Sequence, residues 1–134
     1  MITAVDSSIV FDVLLDDTFG VASLALVRQC RQEGSLIACE VVWAEVSARF
    51  ADQAEATDAM ARLGIGFDAI EQHESIAAGR AWREYRRRGG PRTRITSDFL
   101  IGAQALASAD RLLTRDRGFY RRCFSALAVL DPSA

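Results

Sequence analysis

The chain has 134 residues, half of them apolar and a quarter charged, with a formal net charge of −2; this is the profile of one globular domain spanning residues 1–134 with enough apolar content for a core. Two prolines and the absence of a repeat or biased tract exclude a disordered or linker-like chain. All 16 basic residues are arginine, so the chain lacks the lysine of a GK[ST] phosphate-binding loop and the lysine that aspartyl-nucleophile phosphoryl transfer generally uses.

Taken in order, residues 2–6 read as a short buried strand and 7–15 as helix. Residues 19–33 are helical, with Val21, Leu24, Leu26 and Val27 on an apolar side, and Gly34 stops the helix where a C-terminus favours glycine. A strand at 35–39 precedes two helical stretches, 40–50 and 52–63. A third strand falls within 64–70, then a helix over 72–88, ended by Gly89-Gly90-Pro91. Thr96 or Ser97 caps a helix running to about residue 109. Residues 111–114 form a fourth strand, 117–123 a short helix and 126–130 a fifth strand. Strands alternating with helices at this spacing predict an α/β, three-layer α/β/α sandwich around a central, mainly parallel five-stranded sheet.

The apolar N-terminus is interrupted by Asp6, Asp12, Asp16 and Asp17 and has no basic residue before it, unlike a signal peptide. No apolar run approaches the ~18 residues of a membrane-spanning helix, so a cytoplasmic protein with no membrane partner is expected. Cys30, Cys39 and Cys123 are odd in number and widely spaced, as reduced structural thiols are, and with His73 the only histidine they offer no zinc spacing.

Four acids sit against apolar stretches. Asp6 ends Ile2-Thr3-Ala4-Val5, Glu45 lies within Val41-Val42-Trp43-Ala44-Glu45-Val46, Asp98 opens Phe99-Leu100-Ile101-Gly102-Ala103, and Asp116 follows Leu112-Leu113-Thr114. Carboxylates are seldom buried unless paired or holding a cation. Each has a plain structural alternative. Asp6 can cap the helix after it, Glu45 can pair with Arg49 at i, i+4, Asp98 can complement a helix N-terminus, and Asp116 can open a turn before Gly118. Asp6 and Asp116, however, fall at the carboxyl ends of strands, where open parallel sheets bind ligands. Four carboxylates meeting there repel one another unless cations intervene. Hard divalent ions suit such oxygen donors, and metal-activated water needs neither histidine nor lysine.

These residues resemble the PIN domain, and more narrowly the VapC-type toxin ribonucleases of bacterial toxin–antitoxin pairs. The similarity rests on Val5-Asp6-Ser7-Ser8, Val42-Trp43-Ala44-Glu45-Val46, Ile95-Thr96-Ser97-Asp98-Phe99-Leu100-Ile101-Gly102-Ala103 and Leu112-Leu113-Thr114-Arg115-Asp116-Arg117-Gly118-Phe119-Tyr120, and spans nearly the whole chain. It implies Mg²⁺-dependent RNA cleavage (with Mn²⁺ as the alternative ion) by a quartet of Asp6, Glu45, Asp98 and Asp116. Asp6 and Asp98 are the first choices for direct metal ligands. It also implies Thr114 and Ser7 or Ser8 as supporting hydroxyls, a homodimer, and a separately encoded cognate antitoxin that blocks the site. Gln104 stands where relatives often carry histidine. The competing expectation is a non-catalytic PIN-like module that binds RNA or a protein.

The charge is uneven. Residues 80–94 carry seven arginines against Glu84, a local charge of +6 that leaves −8 on the remainder. Arg80, Arg83 and Arg87 share a helical stripe, with Trp82 and Tyr85 between the arginines, so the segment suits RNA phosphates or an acidic antitoxin segment. Trp82, Trp43 and Met60 are expected in packing roles and His73 at the surface.

Overall fold

A computed structural model describes residues 1–91, 94 and 96–133. In chain order the elements are β1 (Ile2–Val5), α1 (Ser7–Leu15), α2 (Gly20–Glu33), β2 (Ser35–Ala38), α3 (Glu40–Ser47), α4 (Gln53–Leu63), β3 (Ile65–Phe67), α5 (Gln72–Arg87), α6 (Thr96–Ser108), β4 (Arg111–Leu113), α7 (Arg117–Cys123) and β5 (Val129–Leu130). The five strands form one sheet in the order β3-β2-β1-β4-β5, and every pairing is parallel. This is the expected α/β/α arrangement. Among the described residues no helix is long and apolar enough to cross a membrane.

Strand β1 is central because Thr3, Ala4 and Val5 are buried on both faces of the sheet. Its register with β4 pairs Val5 with Leu113, which sets the carboxyl ends of these two strands side by side. Asp6 donates its backbone N–H to the Leu113 carbonyl at 3.0 Å, so the ladder extends one step into the loop that carries the acid.

Three elements differ from expectation for identifiable reasons. The third strand is confined to Ile65–Phe67, because Gly64 adopts φ 75° to terminate α4 and cannot join the sheet. The fifth shrinks to Val129–Leu130, because Leu127 turns back to the Phe124 carbonyl at 2.9 Å. Gly34 does end α2, but in an extended conformation (φ 166°), so left-handed freedom is not its role. A Cβ there would stand 1.7 Å from the Met1 carbonyl oxygen; the glycine admits the backbone of the first residue. Thr96 and Ser97 lie inside α6, and the cap position before it, like Arg92 of the arginine cluster, is outside the described residues.

Helices α5 and α6 pack together through an aromatic group that supports the site from below. Phe99, fully buried, stacks on Trp82 (centroids 5.9 Å) and meets Tyr85 (5.5 Å) and Phe119 (5.2 Å) edge to face. Trp82 is therefore a packing residue, as expected. Trp43 packs on Phe67, Met60 is buried, and His73 is exposed beside Glu71. Gly102, one turn after Asp98, lets α6 press against the Phe124 ring, 2.3 Å from where a Cβ would be.

Phe99→Ala should cost ~3–5 kcal/mol in urea denaturation and Phe99→Leu distinctly less, since the leucine refills most of the cavity; equal losses would show that volume is not what Phe99 contributes.

Candidate active site

Asp6 stands between β1 and α1, and its carboxylate is 6% exposed. It makes no capping bond to α1. Instead its Oδ2 accepts from Thr114 Oγ1 at 2.7 Å and Ser8 Oγ at 3.3 Å, and its Oδ1 accepts a long contact from Ser7 Oγ at 3.5 Å. These donors are neutral hydroxyls. Burial accordingly pushes the Asp6 pKa up to about 6, against the lowering effect of the Thr114 hydroxyl and the Ser7 backbone, and Glu45 and Asp98 push in the same direction as burial.

The half-buried Glu45 projects from α3, and its Oε1 accepts from Ser7 Oγ at 3.2 Å. One hydroxyl thus lies between two carboxylates, and its single proton serves one at a time. Burial is also the main influence raising the Glu45 pKa, with Asp98 adding to it. The alternative pairing with Arg49 does not form; Arg49 lies over the Phe11 ring at 4.7 Å. Asp98 occupies the first turn of α6, near enough to raise both Asp6 and Glu45. Tyr120, buried behind the acids, has its phenol pushed well up by burial and further by Asp6, Asp98 and Asp116.

Asp116 joins by a different route. It precedes α7 without capping it through its side chain. Its backbone N–H donates to Thr114 Oγ1 at 3.0 Å, so one hydroxyl links the first and fourth acids. Its carboxylate is gripped by both terminal nitrogens of Arg94, with Nη2 to Oδ1 at 3.0 Å and Nη1 on Oδ2. The bond to Asp116 is the main influence raising the Arg94 pKa. The Arg94 guanidinium also lies over the Phe119 ring at 4.3 Å. Sequence reasoning placed Arg94 in a basic patch and missed this pair.

Sequence reasoning also missed Asp12. It is fully buried on α1, and its Oδ2 accepts from Ser23 Oγ at 2.7 Å and Arg115 Nε at 2.6 Å, while Oδ1 has no hydrogen-bond partner. Arg115 also donates its backbone N–H to Ser8 Oγ at 3.3 Å and lies over Phe19. The segment Thr114-Arg115-Asp116 is thereby pinned to α1 at both side chain and backbone. Gln104, buried on α6, donates to Asp68 Oδ2 at 2.7 Å, a tie to the loop after β3.

The donors here are carboxylate and hydroxyl oxygens, which suit a hard cation. Among the described residues no three His, Cys, Asp or Glu side chains are grouped closely enough to cage an ion. Mg²⁺ usually keeps several waters and is held by one or two carboxylates. Asp6, surrounded by hydroxyls, and Asp98, near enough to raise its pKa, are the residues that would hold such an ion.

The family model of the PIN domain matches residues 3–125. The chain belongs to the PIN-domain family. Comparison with curated protein sequences yields no match. Among solved structures, it is similar to VapBC2 from Rickettsia felis bound to a DNA fragment from its promoter (TM-score 0.77, 14% identity, 98% of each chain covered). It is also similar to VapBC-1 from nontypeable Haemophilus influenzae (0.74, 16%, 100% of each chain) and to FitAcB from Neisseria gonorrhoeae (0.71, 17%, 99% of each chain). At these identities the likeness is one of fold.

The Asp6 shift has a consequence for stability. Between pH ~4 and ~6 the folded chain holds a proton that the unfolded chain releases, so this contribution is present at low pH and is lost as pH rises through about 6. Above that it leaves a penalty of roughly 3 kcal/mol. Asp6→Asn should therefore melt higher than wild type in EDTA at pH 7.5, with the gap closing toward pH 4; a variant that melts lower at both pH values would count against it.

Proposed function

We propose that this PIN domain is a Mg²⁺-dependent endoribonuclease of the VapC toxin type, hydrolysing RNA phosphodiester bonds and neutralised by a cognate antitoxin. The observation that carries the reading is the meeting of Asp6, Glu45 and Asp98 at the carboxyl end of β1, where burial and mutual repulsion raise Asp6 to about 6 with only uncharged donors around it among the described residues. Such an arrangement has little use without a cation. The likeness to the VapBC and FitAcB structures supports the toxin assignment and the expectation of an antitoxin partner.

In this reading Asp6 and Asp98 would hold Mg²⁺, which when bound would supply a water of lowered pKa for attack on phosphorus. Glu45, held by the Ser7 hydroxyl, would orient the attacking water and receive its proton. Thr114 keeps Asp6 aimed and ties Asp116 to it, and Arg94 neutralises Asp116 before substrate arrives. The products carry a 5′-phosphate and a 3′-hydroxyl. The whole of residues 1–134 acts as one nuclease domain, working as a homodimer in the cytoplasm.

A second reading, a non-catalytic PIN-like binding module, draws on one observation. Asp116 is already paired in the same chain, as a site with no need of a fourth free acid would have it.

Incubation of a structured RNA with wild type should give cleavage in Mg²⁺ and none in EDTA, and Asp98→Asn should lose at least a hundredfold in rate, the scale of one missing electrostatic group. Cutting in EDTA, or unimpaired cutting by the variant, sinks the assignment; RNA binding without cleavage under all conditions favours the binding module.

A further inference from the structure

One arginine away from Asp116, a cavity of about 280 Å³ opens between the C-terminal half of α5 and the described residues Pro91 and Arg94. Trp82, Arg86, Pro91 and Arg94 line it. Two of the four are guanidinium groups, and no described carboxylate is among the lining residues. The volume sits near the small end of ligand pockets, ~300 Å³, a space for one small polar group and its immediate attachments rather than for a helix.

The two arginines differ from their neighbours in how they are used. Arg87 and Arg88 are both drawn to Glu84, at 3.2 and 3.7 Å. Arg86 forms no ion pair with any described carboxylate, and its guanidinium lies over the Trp82 ring at 4.9 Å. Arg94 gives two N–H groups to Asp116, and a guanidinium has five. The cavity therefore presents an uncommitted cation on one wall and a partly committed one on the other. Trp82 is not a stacking platform, because Phe99 packs on one face and Arg86 covers the other. What the cavity can recognise is an anion, with Pro91 and the Trp82 edge as apolar flank.

We propose that the Trp82–Arg86–Pro91–Arg94 cavity is a phosphate subsite for the RNA strand, holding the nucleotide next to the one whose phosphodiester meets the carboxylates. The inference rests on the ribonuclease reading and adds a place for the substrate to it. Arg94 is the hinge of the argument, since it borders the cavity on one side and holds Asp116 on the other. A strand seated here lies one arginine away from Asp116. An acidic peptide meets the same repulsion from the acids as the strand does, but only the strand has a phosphodiester to place among them, so the strand is the better occupant.

The test uses Trp82 as its own reporter. The chain has two tryptophans, and Trp43→Phe leaves Trp82 as the single emitter. Titration of that variant with a single-stranded oligoribonucleotide in EDTA should give a saturable change in emission. Adding Arg86→Gln should weaken binding about tenfold and reduce the slope of log K against log salt by about one, as loss of one phosphate contact does. Arg28→Gln, on exposed α2 away from the cavity, should leave both unchanged. Unaltered affinity in Arg86→Gln, an equal loss in Arg28→Gln, or tighter binding of an acidic peptide than of the oligoribonucleotide at the same cavity overturns the proposal. Cleavage in Mg²⁺ read in parallel separates it from the ribonuclease reading. Cleavage with Arg86-independent binding removes the subsite alone. Arg86-dependent binding without any cleavage supports the subsite and removes the nuclease.

Discussion

Burying the Asp6 carboxylate against uncharged donors is the constraint on which the rest of the structure depends. Three hydroxyls approach it from α1 and from the end of β4, and none brings a positive charge. Neutral hydrogen bonds contribute only ~0.5–1.5 kcal/mol each, too little to offset removal of a full charge from water. The protein tolerates this because β1 is fixed on both sides by parallel pairing and cannot swing the acid outward. Stability is given up at one point of the sheet edge, where a buried carboxylate meets only neutral donors among its described partners.

The neighbouring acids are managed differently, and the difference gives each a separate character. Glu45 is half-buried and shares a hydroxyl; Asp116 is neutralised by a guanidinium; Asp12, the most deeply buried of all, is answered by Arg115. A carboxylate paired with an arginine is structurally settled, whereas one given only hydroxyls stays receptive to a cation. The acids thus divide into those settled by arginine, Asp12 and Asp116, and Asp6, which has neutral donors only among its described partners. The aromatic group around Phe99 keeps α6, and Asp98 with it, at a fixed distance from Asp6.

What could be read from the sequence was whatever depends on local pattern. Short apolar runs marked every strand, and acids beside such runs pointed to Asp6, Glu45 and Asp98, which the fold brings near one another, and to Asp116, which it joins through Thr114. The signal that found Asp6 also applies to Asp12, within Ile9-Val10-Phe11-Asp12-Val13-Leu14, but in the sequence Asp12 counted only as one of the acids that interrupt the apolar N-terminus. Arg94 with Asp116 was out of reach for another reason. The two are 22 residues apart, and seven arginines in that segment offered no local ground for choosing one. Gly34 shows a right position with the wrong cause, since its conformation is ordinary and only the approach of Met1 from a distant part of the fold demands a missing side chain.

The sheet order has a consequence for how the protein comes into being. Strand β1 is made first, yet one of its two neighbours, β4, arrives 108 residues later with the hydroxyl that meets Asp6. Parallel pairing over such a separation forms late, after the intervening chain has condensed. Until β4 has docked, the first three strands can pair with one another but Asp6 has no Thr114 to aim it. Completion of the acid's surroundings thus waits on the fourth strand of the chain and not on the strand that carries the acid.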